Sequence, residues 1–235
     1  MSHRLRILSR IRKALDAPAM PSETARAEAV AERIAHPPQH WPLRSIQPEA
    51  DGVSQQALIG RFKAQLARLG ADVIEARSVA EIPAALAQYI ATNVADDAAG
   101  LARIRMGSDA FLAALPWSST SGLEIATGKA EATDVIGVSR AIAGVAETGT
   151  LVLVSGAENP VTLGYLPETH IVVLEASGIV ASYEEAMQSV LVATGGRMPR
   201  TVNLITGASR TGDIGGKIVM GAHGPRRVAV VLWSA

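Results

Sequence analysis

A short polar turn separates two apolar runs near the middle of this chain. The turn, Glu-Thr-Gly-Thr at residues 147–150, lies between residues 134–145 and 151–154, which both read as buried strands. A glycine between two hydroxyl residues exposes backbone N–H groups, and such a turn can form a concave nest for an anion. A second Gly-rich polar segment, residues 207–213, also lies between apolar strands. This arrangement is typical of ligand sites in α/β proteins.

Helix and strand patterns alternate in the first half of the main domain. The sequence predicts a helix over 53–69 that ends at Gly70, a strand over 71–76, a helix over 81–92 and a strand over 101–106. This alternation favours a largely parallel sheet with helices on its faces. We therefore expect an α/β fold.

The second half of the chain is richer in strands. Residues 122–126, 134–145 and 150–154 read as strands with little helix between them, which predicts a strand-rich insertion or a hairpin. The remaining predicted elements are a strand at 170–174, a helix from Ser182 to about Thr194 that opens with a capping box, and strands over 201–206 and 227–233.

The N-terminal region carries a basic amphipathic helix. Leu5, Leu8, Ile11 and Leu15 recur at helical spacing, with basic residues on the other faces. Such a helix can lie on a membrane or dock a partner, and the simpler interpretation is a solvated face over a small docking stripe. We favour a protein partner and no membrane insertion.

The domain border is predicted at a proline-rich connector. A second helix is expected over 22–35, and four prolines follow between residues 37 and 48. We therefore divide the chain into a helical appendage and connector, residues 1–48, and an α/β domain, residues 49–235.

Composition excludes several functional classes. Apolar residues make up 48% of the chain, so a sizeable core can form. Lys+Arg and Asp+Glu both number 22, so no net field would attract nucleic acid or an anionic membrane. No run approaches the length of a spanning helix, and residues 1–16 lack the apolar core of a signal peptide. We expect a cytoplasmic protein.

Cofactor motifs are also missing. The chain has no cysteine, which excludes Cys-ligated zinc and iron–sulfur clusters within it. There is no G-x-G-x-x-G, and the Gly216-Lys217 pair is not a Walker A loop, because Thr211 and Ile218 replace its first Gly and its Ser/Thr. The histidines show no metal spacing, and we predict no metal ligands.

Two histidines are candidates for a site. His223 has Gly221 and Gly224 close by, so its imidazole would be presented at a tight turn. His170 immediately precedes a buried strand, where a structural histidine bonded to the backbone is the more usual outcome. We keep both a structural and a functional interpretation for each.

The polar loops supply the other candidates. Arg210 offers a two-point match to a carboxylate or phosphate, whereas the structural alternative is a surface pair beside an Asp213 cap. Glu147 is either a base or a brace for its turn. The predicted catalytic residues are His223 and Glu147. The predicted ligand-binding residues are Thr148, Gly149, Thr150, His170, Ser209, Arg210, Thr211, Asp213 and Gly224. Because these segments lie at strand ends, we expect residues 147–150, 209–213 and His223 to converge on one cleft.

Three segments in order resemble the LUD-domain family. They are residues 142–153, residues 166–171, and residues 205–214 followed by 221–225. The resemblance spans about residues 136–232, and the basic N-terminal helix is also similar to the start of family members. One position differs, because Gly215 stands where the family usually has an acidic residue.

The resemblance implies a fold related to the NagB/RpiA/CoA-transferase group, near the 5-formyltetrahydrofolate cyclo-ligases. It implies a part in the oxidation of L-lactate to pyruvate, beside two partner subunits that carry iron–sulfur clusters. The absence of cysteine agrees with this division of labour.

Three functional hypotheses follow. The chain is a non-redox subunit that binds a small hydroxy acid or an anionic cofactor, a free-standing enzyme that binds a nucleotide or phosphate, or a structural subunit docked through its first helix. We favour the first, with no cofactor held by this chain.

Overall fold

The computed structural model of the chain describes residues 3–14, 21–36, 53–94, 101–214 and 217–234. The chain divides into two compact units, Met1–Glu49 and Ala50–Ala235.

The first unit contains two helices, α1 (His3–Ala14) and α2 (Glu23–Ala35). Ser22 begins α2, because its hydroxyl accepts a hydrogen bond from the Ala25 amide at 3.1 Å. On α1 the apolar side chains of Leu5, Leu8 and Ile11 are exposed. The predicted stripe residue Leu15 and the connector over 37–48 lie outside the described residues.

The second unit contains helices and strands in a mixed order. Its helices are α3 (Gln55–Arg68), α4 (Ile82–Asn93), α5 (Ala110–Ala113) and α6 (Tyr183–Ala193). Its strands are β1 (Asp72–Ala76), β2 (Ala102–Met106), β3 (Leu123–Thr127), β4 (Ile136–Arg140), β5 (Ala143–Val145), β6 (Thr150–Val154), β7 (Thr169–Glu175), β8 (Ile179–Val180), β9 (Val202–Ile205), β10 (Arg210–Ile214), β11 (Lys217–Met220) and β12 (Arg227–Trp233).

Six parallel strands form the main sheet in the order β1-β12-β7-β4-β2-β3. Successive residues of β7 face opposite sides, as strand geometry requires. Ile171 and Val173 pack in the cluster that includes α4, whereas Val172 and Leu174 pack in the cluster that includes α3. Both faces of the central strands are therefore covered, which confirms the expected α/β fold with a parallel sheet.

A four-stranded sheet, β8-β5-β6-β9, forms a further layer. Leu151 and Leu153 of β6 pack in the α3 cluster. Val152 faces the other way and packs against α6 through Ala186 and Val190. The layers thus run from α4 through the main sheet to α3 with the small sheet, and then to α6.

The single strand predicted over 134–145 is wrong, because the chain changes sheet inside it. The Ala141 amide still donates to Val173 of the main sheet at 3.0 Å, while the Ile142 amide donates to Val152 of the small sheet at 2.8 Å. Residues 122–126 likewise belong to the main sheet, as its edge strand β3. Apolarity alone hides this change of sheet, because both halves of the run are buried.

The hairpin of β10 and β11 was not predicted from the sequence. Residues 207–213 read as a polar loop, but β10 pairs with β11 in antiparallel fashion, with a register shift between Thr211 and Ile214. Ile218 and Met220 of β11 are exposed. The hairpin therefore lacks the alternating burial by which a strand is recognised.

No helix within the described ranges is both long and apolar enough to cross a membrane.

Candidate functional site

The 147–150 turn packs tightly on α3. Gly149 has φ 70°, and a Cβ there would lie 2.9 Å from the Cβ of Gln65. The Gln65 side-chain amide donates to the Glu147 carbonyl at 2.9 Å. The turn's own N–H groups are engaged as well, because Gly149 donates to Val145 and Glu147 donates to Ala181. Glycine is needed here for close approach to the helix, and these two N–H groups are not open to an anion.

Four hydroxyl groups meet beside this turn. Thr150, which is fully buried, lies 2.7 Å from Thr148, 2.8 Å from Tyr183 and 2.7 Å from Thr206, measured between side-chain oxygens. The network ties the turn to the start of α6 and the end of β9. Tyr183 and Thr206 were not predicted, because their contacts span 33 and 56 residues of sequence.

Arg210 lies at the carboxyl end of α3. Its Nη2 donates to the Leu69 carbonyl at 3.0 Å, so its positive charge meets the negative end of the helix dipole. A Cβ at Gly70, where φ is 68°, would collide with this guanidinium. The side chain of the predicted partner Asp213 and the whole of Gly215 lie outside the described part of the chain.

Ser209 and His223 adjoin each other. The Ser209 hydroxyl accepts from the His223 amide at 3.3 Å, and the Ser209 amide donates to Pro225 at 2.8 Å. Gly224 lies beside the same serine, since a Cβ there would be 3.7 Å from the Ser209 Cβ. The His223 side chain is exposed just before β12 begins, so this group lies at the amino end of a parallel strand.

The structure brings several of the predicted residues into contact. Thr150 contacts both Thr148 and Thr206, and Ser209 is brought to His223. Thr211 pairs with Val219 in the β10–β11 hairpin. Their predicted roles in binding and catalysis stay predictions.

His170 lies in the interior and bonds to a side chain, not to the backbone. Its Nε2 is 3.0 Å from the Ser139 hydroxyl, and its Nδ1 has no hydrogen-bond partner among the described residues. Burial lowers the pKa of His170 to about 4, so the ring is neutral at pH 7. Gly164 covers the ring, and a cavity of about 10 Å³ lies beside Ser139 and Gly164.

A larger crevice opens at the carboxyl ends of β2 and β4. After β2 the chain passes to the α4 side of the sheet, where Leu112 packs. After the neighbouring β4 it passes to the α3 side, where Ala141 packs. Ligands of open α/β sheets bind where adjacent connections diverge in this way. A cavity of about 450 Å³ lies here, lined by Asp109 and Arg140. A second cavity of about 480 Å³ adjoins it at the carboxyl ends of β4 and β7, and the two share Arg140, Ile142 and Ala193 in their linings.

Arg140 is the central charge of this crevice. Its guanidinium lies 4.7 Å from the centre of the Phe111 ring, which in turn stacks on Trp233. Its Nη1 is 3.8 Å from Asp109 Oδ2, while Asp109 Oδ1 accepts from the Leu112 amide at 2.9 Å and caps α5.

Neither Arg140 nor Asp109 was predicted from the sequence. A charged residue at the end of a buried strand, such as Arg140, can indicate a ligand site. The prediction of one strand over 134–145 concealed that β4 ends at Arg140.

The fold and crevice define an α/β protein with a ligand-sized opening at the switch point of a parallel sheet. The LUD domain family model matches residues 59–233. The chain belongs to this family.

Several relatives and one solved structure are similar to the chain. Lactate utilization protein C of Anoxybacillus flavithermus is 28% identical over 202 residues, covering 82% of this chain and 87% of that one. The same-named protein of Geobacillus thermodenitrificans is 29% identical and covers 77% of this chain and 80% of its own length. An uncharacterised protein of Neisseria meningitidis serogroup B is 38% identical over 95 residues, 40% of each chain. A DUF162 family protein from Deinococcus radiodurans matches with a TM-score of 0.57 and 21% identity over 77% of this chain and 99% of its own, which shows the shared fold.

Proposed function

We propose that this chain is a non-redox component of an L-lactate utilisation system and that it binds a small anionic ligand. The observation that carries the proposal is the alignment of most of the chain with proteins named Lactate utilization protein C. Since the sequence has no cysteine, a Cys-ligated iron–sulfur cluster would belong to partner subunits.

The exposed His223 side chain and the half-buried Ser209 beside it are the proposed centre of the ligand site. The two residues are joined by the hydrogen bond from the His223 amide, and the ring nitrogens of an imidazole can donate or accept a hydrogen bond. Glu147 as a second catalytic group belongs to the same proposal.

Calorimetric titration of the full chain with L-lactate, pyruvate and inorganic phosphate tests ligand binding. We expect L-lactate or pyruvate to bind and His223→Gln to weaken that binding by about tenfold, the loss of one hydrogen bond to a charged group. Binding of neither acid would contradict the ligand proposal. Unchanged binding by the variant would remove His223 from the site.

The partner subunits are proposed to dock on α1. Leu5, Leu8 and Ile11 are exposed along it at 54%, 37% and 49%. Deletion of residues 1–16 should reduce co-purification with co-expressed iron–sulfur subunits, while the α/β domain melts as before. Undiminished co-purification would contradict this docking surface.

A nucleotide- or phosphate-binding enzyme is the second candidate. Cavities of about 480 and 450 Å³ fall within the usual range for ligand pockets and could hold a ligand of nucleotide size. Binding of ATP without binding of lactate or pyruvate would favour this candidate over the first.

A further inference from the structure

We propose that Arg140 and Asp109 together bind a ligand that carries an oxyanion and a nearby hydroxyl group. Arg140 would donate to the oxyanion, and Asp109 Oδ2 would accept from the hydroxyl. Where the ligand is a 2-hydroxy acid, the inference rests on the proposed function but gives the acid a different location. Arg140 lies at the carboxyl end of β4, whereas Ser209 and His223 lie at the amino end of β12. A ribose phosphate offers the same pair of groups.

The first support is that the pair is open. The 3.8 Å between Arg140 Nη1 and Asp109 Oδ2 is longer than the 2.7–3.2 Å typical of a hydrogen bond. Within the described ranges, the Arg140 guanidinium donates no hydrogen bond to the protein, although its side chain is only 39% exposed. Its N–H donors are therefore available to a ligand, as Asp109 Oδ2 is to a hydroxyl donor.

The second support is the charge of the lining. Glu158 lines the cavity that holds Arg140 and Asp109, and Glu175 lines the adjoining one, so carboxylates outnumber the guanidinium. A bare anion would gain from Arg140 but meet repulsion from the carboxylates. A ligand that also donates hydrogen bonds through hydroxyl groups satisfies both signs of charge.

The third support is that packed segments form the walls of the crevice. The loop over 155–159 lies directly on Gly107, where any Cβ would collide with the Glu158 carbonyl. Asn159 holds this loop through its side-chain amide, which donates to the Val154 carbonyl at 3.1 Å. Ile142 and Ala193 line the crevice with apolar surface. Partial exclusion of water by these walls strengthens a charge-assisted hydrogen bond to Arg140.

The paired groups also discriminate between related acids. L-lactate carries its carboxylate and hydroxyl on adjacent carbons, so one molecule can reach both partners. Pyruvate has an acceptor oxygen in place of the hydroxyl donor and would face Asp109 unfavourably. Asp109 would therefore make the site prefer a hydroxy acid over a keto acid.

The test is calorimetric titration of the full chain with L-lactate, pyruvate and AMP as probes. The variants are Arg140→Gln, Asp109→Asn and, as a matched control, Arg103→Gln. Arg103 makes a similarly long contact of 3.9 Å with Glu124 on the same sheet, outside the crevice. Asparagine keeps the cap on α5, so Asp109→Asn alters charge without removing the cap. Melting of each unliganded variant checks folding.

We expect Arg140→Gln to weaken the bound probe about ten- to a hundredfold and Arg103→Gln to leave it unchanged. For L-lactate, Asp109→Asn should reduce its preference over pyruvate. AMP binding that depends on Arg140, without lactate binding, would support the site with a ribose phosphate and contradict the lactate proposal. Equal binding by the wild-type chain and Arg140→Gln would overturn this inference alone. Failure of the wild-type chain to bind any probe would overturn both.

Discussion

Arg105 and Arg140 lie on neighbouring parallel strands, β2 and β4, but their guanidinium groups differ in the hydrogen bonds that they make to the protein. Arg105 makes two hydrogen bonds to Asp134, at 2.8 and 3.2 Å, with side chains only 11% and 4% exposed. Arg140 faces Asp109 at 3.8 Å across an open crevice. The first pair is therefore hydrogen-bonded within the protein, which we call the closed pair, and the second is not, which we call the open pair.

In the closed pair, each group stabilises the charged form of the other. Burial opposes the charge on Asp134, but hydrogen bonds from Arg105 and from the Glu131 amide outweigh it, so the pKa of Asp134 is lowered. The hydrogen bonds that Arg105 donates to Asp134 likewise outweigh burial and raise the pKa of its guanidinium. The comparison therefore separates an ion pair that supports the fold from one whose unused donors face a cavity.

The largest expected effect follows from breaking the closed pair. Arg105→Met would leave Asp134 buried without its partner and should lower the free energy of unfolding by about 3–5 kcal/mol. Urea denaturation at pH 7 measures this loss. Arg103→Met is the control, because its exposed pair with Glu124 should contribute no more than about 1 kcal/mol. Equal losses in the two variants would contradict the assignment of Arg105 as structural.

A pH-dependent loss of stability is expected from His170. Its pKa is lowered to about 4 in the folded chain, so between about pH 6.5 and pH 4 only the unfolded chain takes up the proton. Stability should fall by about 1.4 kcal/mol per pH unit as the pH drops through this window, about 3 kcal/mol in total, and level off below it.

Urea denaturation at several pH values measures this slope. His170→Gln should flatten the slope over the same window, whereas His223→Gln at an exposed position should retain it. A wild-type slope that survives in His170→Gln would show that other groups cause it.

A smaller effect is expected at the 147–150 turn. Gly149→Ala combines a positive φ with a contact on Gln65, whereas Gly195 has a similar φ of 64° and open space around it. Gly149→Ala should therefore destabilise the chain by about 1–3 kcal/mol more than Gly195→Ala, the usual cost of overpacking. Thermal or urea unfolding gives the difference. If the two variants lose equal stability, the glycine at 149 is needed for its φ alone.

The sequence predicted what local patterns determine. Gly70 after α3 and the Ser182 cap of α6 were found because each depends on a few adjacent residues. The Glu185 carboxylate accepts from the Ala181 amide, one residue before the Ser182 amide that a capping box would use. The parallel sheet was found because its strands alternate with helices. The sheet change at 141–142 was missed, since it depends on which distant strand each amide meets.

The candidate site was less predictable for the same reason. Ser209 and His223 could be paired as polar loop residues, but Arg210 turned out to bond to Leu69, 141 residues away. Arg140 and Asp109 meet only because β2 and β4 are neighbours in the sheet. Long-range pairing of strands places these side chains, and no local pattern encodes it.

The smallest effect on the fold is expected at the open pair itself. Arg140→Gln removes a half-exposed ion pair and a cation–π contact, so the unliganded chain should lose no more than about 1 kcal/mol. The effect of Arg140→Gln on ligand binding should be large, in contrast to its small effect on the unliganded chain. A probe at a hundredfold excess over its Kd raises the stability of the wild-type chain by about 2.7 kcal/mol, and this gain should shrink severalfold in Arg140→Gln. The measurement is urea denaturation with and without the probe that binds the wild-type chain. A large loss in the unliganded variant would place Arg140 with Arg105 as a structural residue, because an open pair contributes little until a ligand completes it.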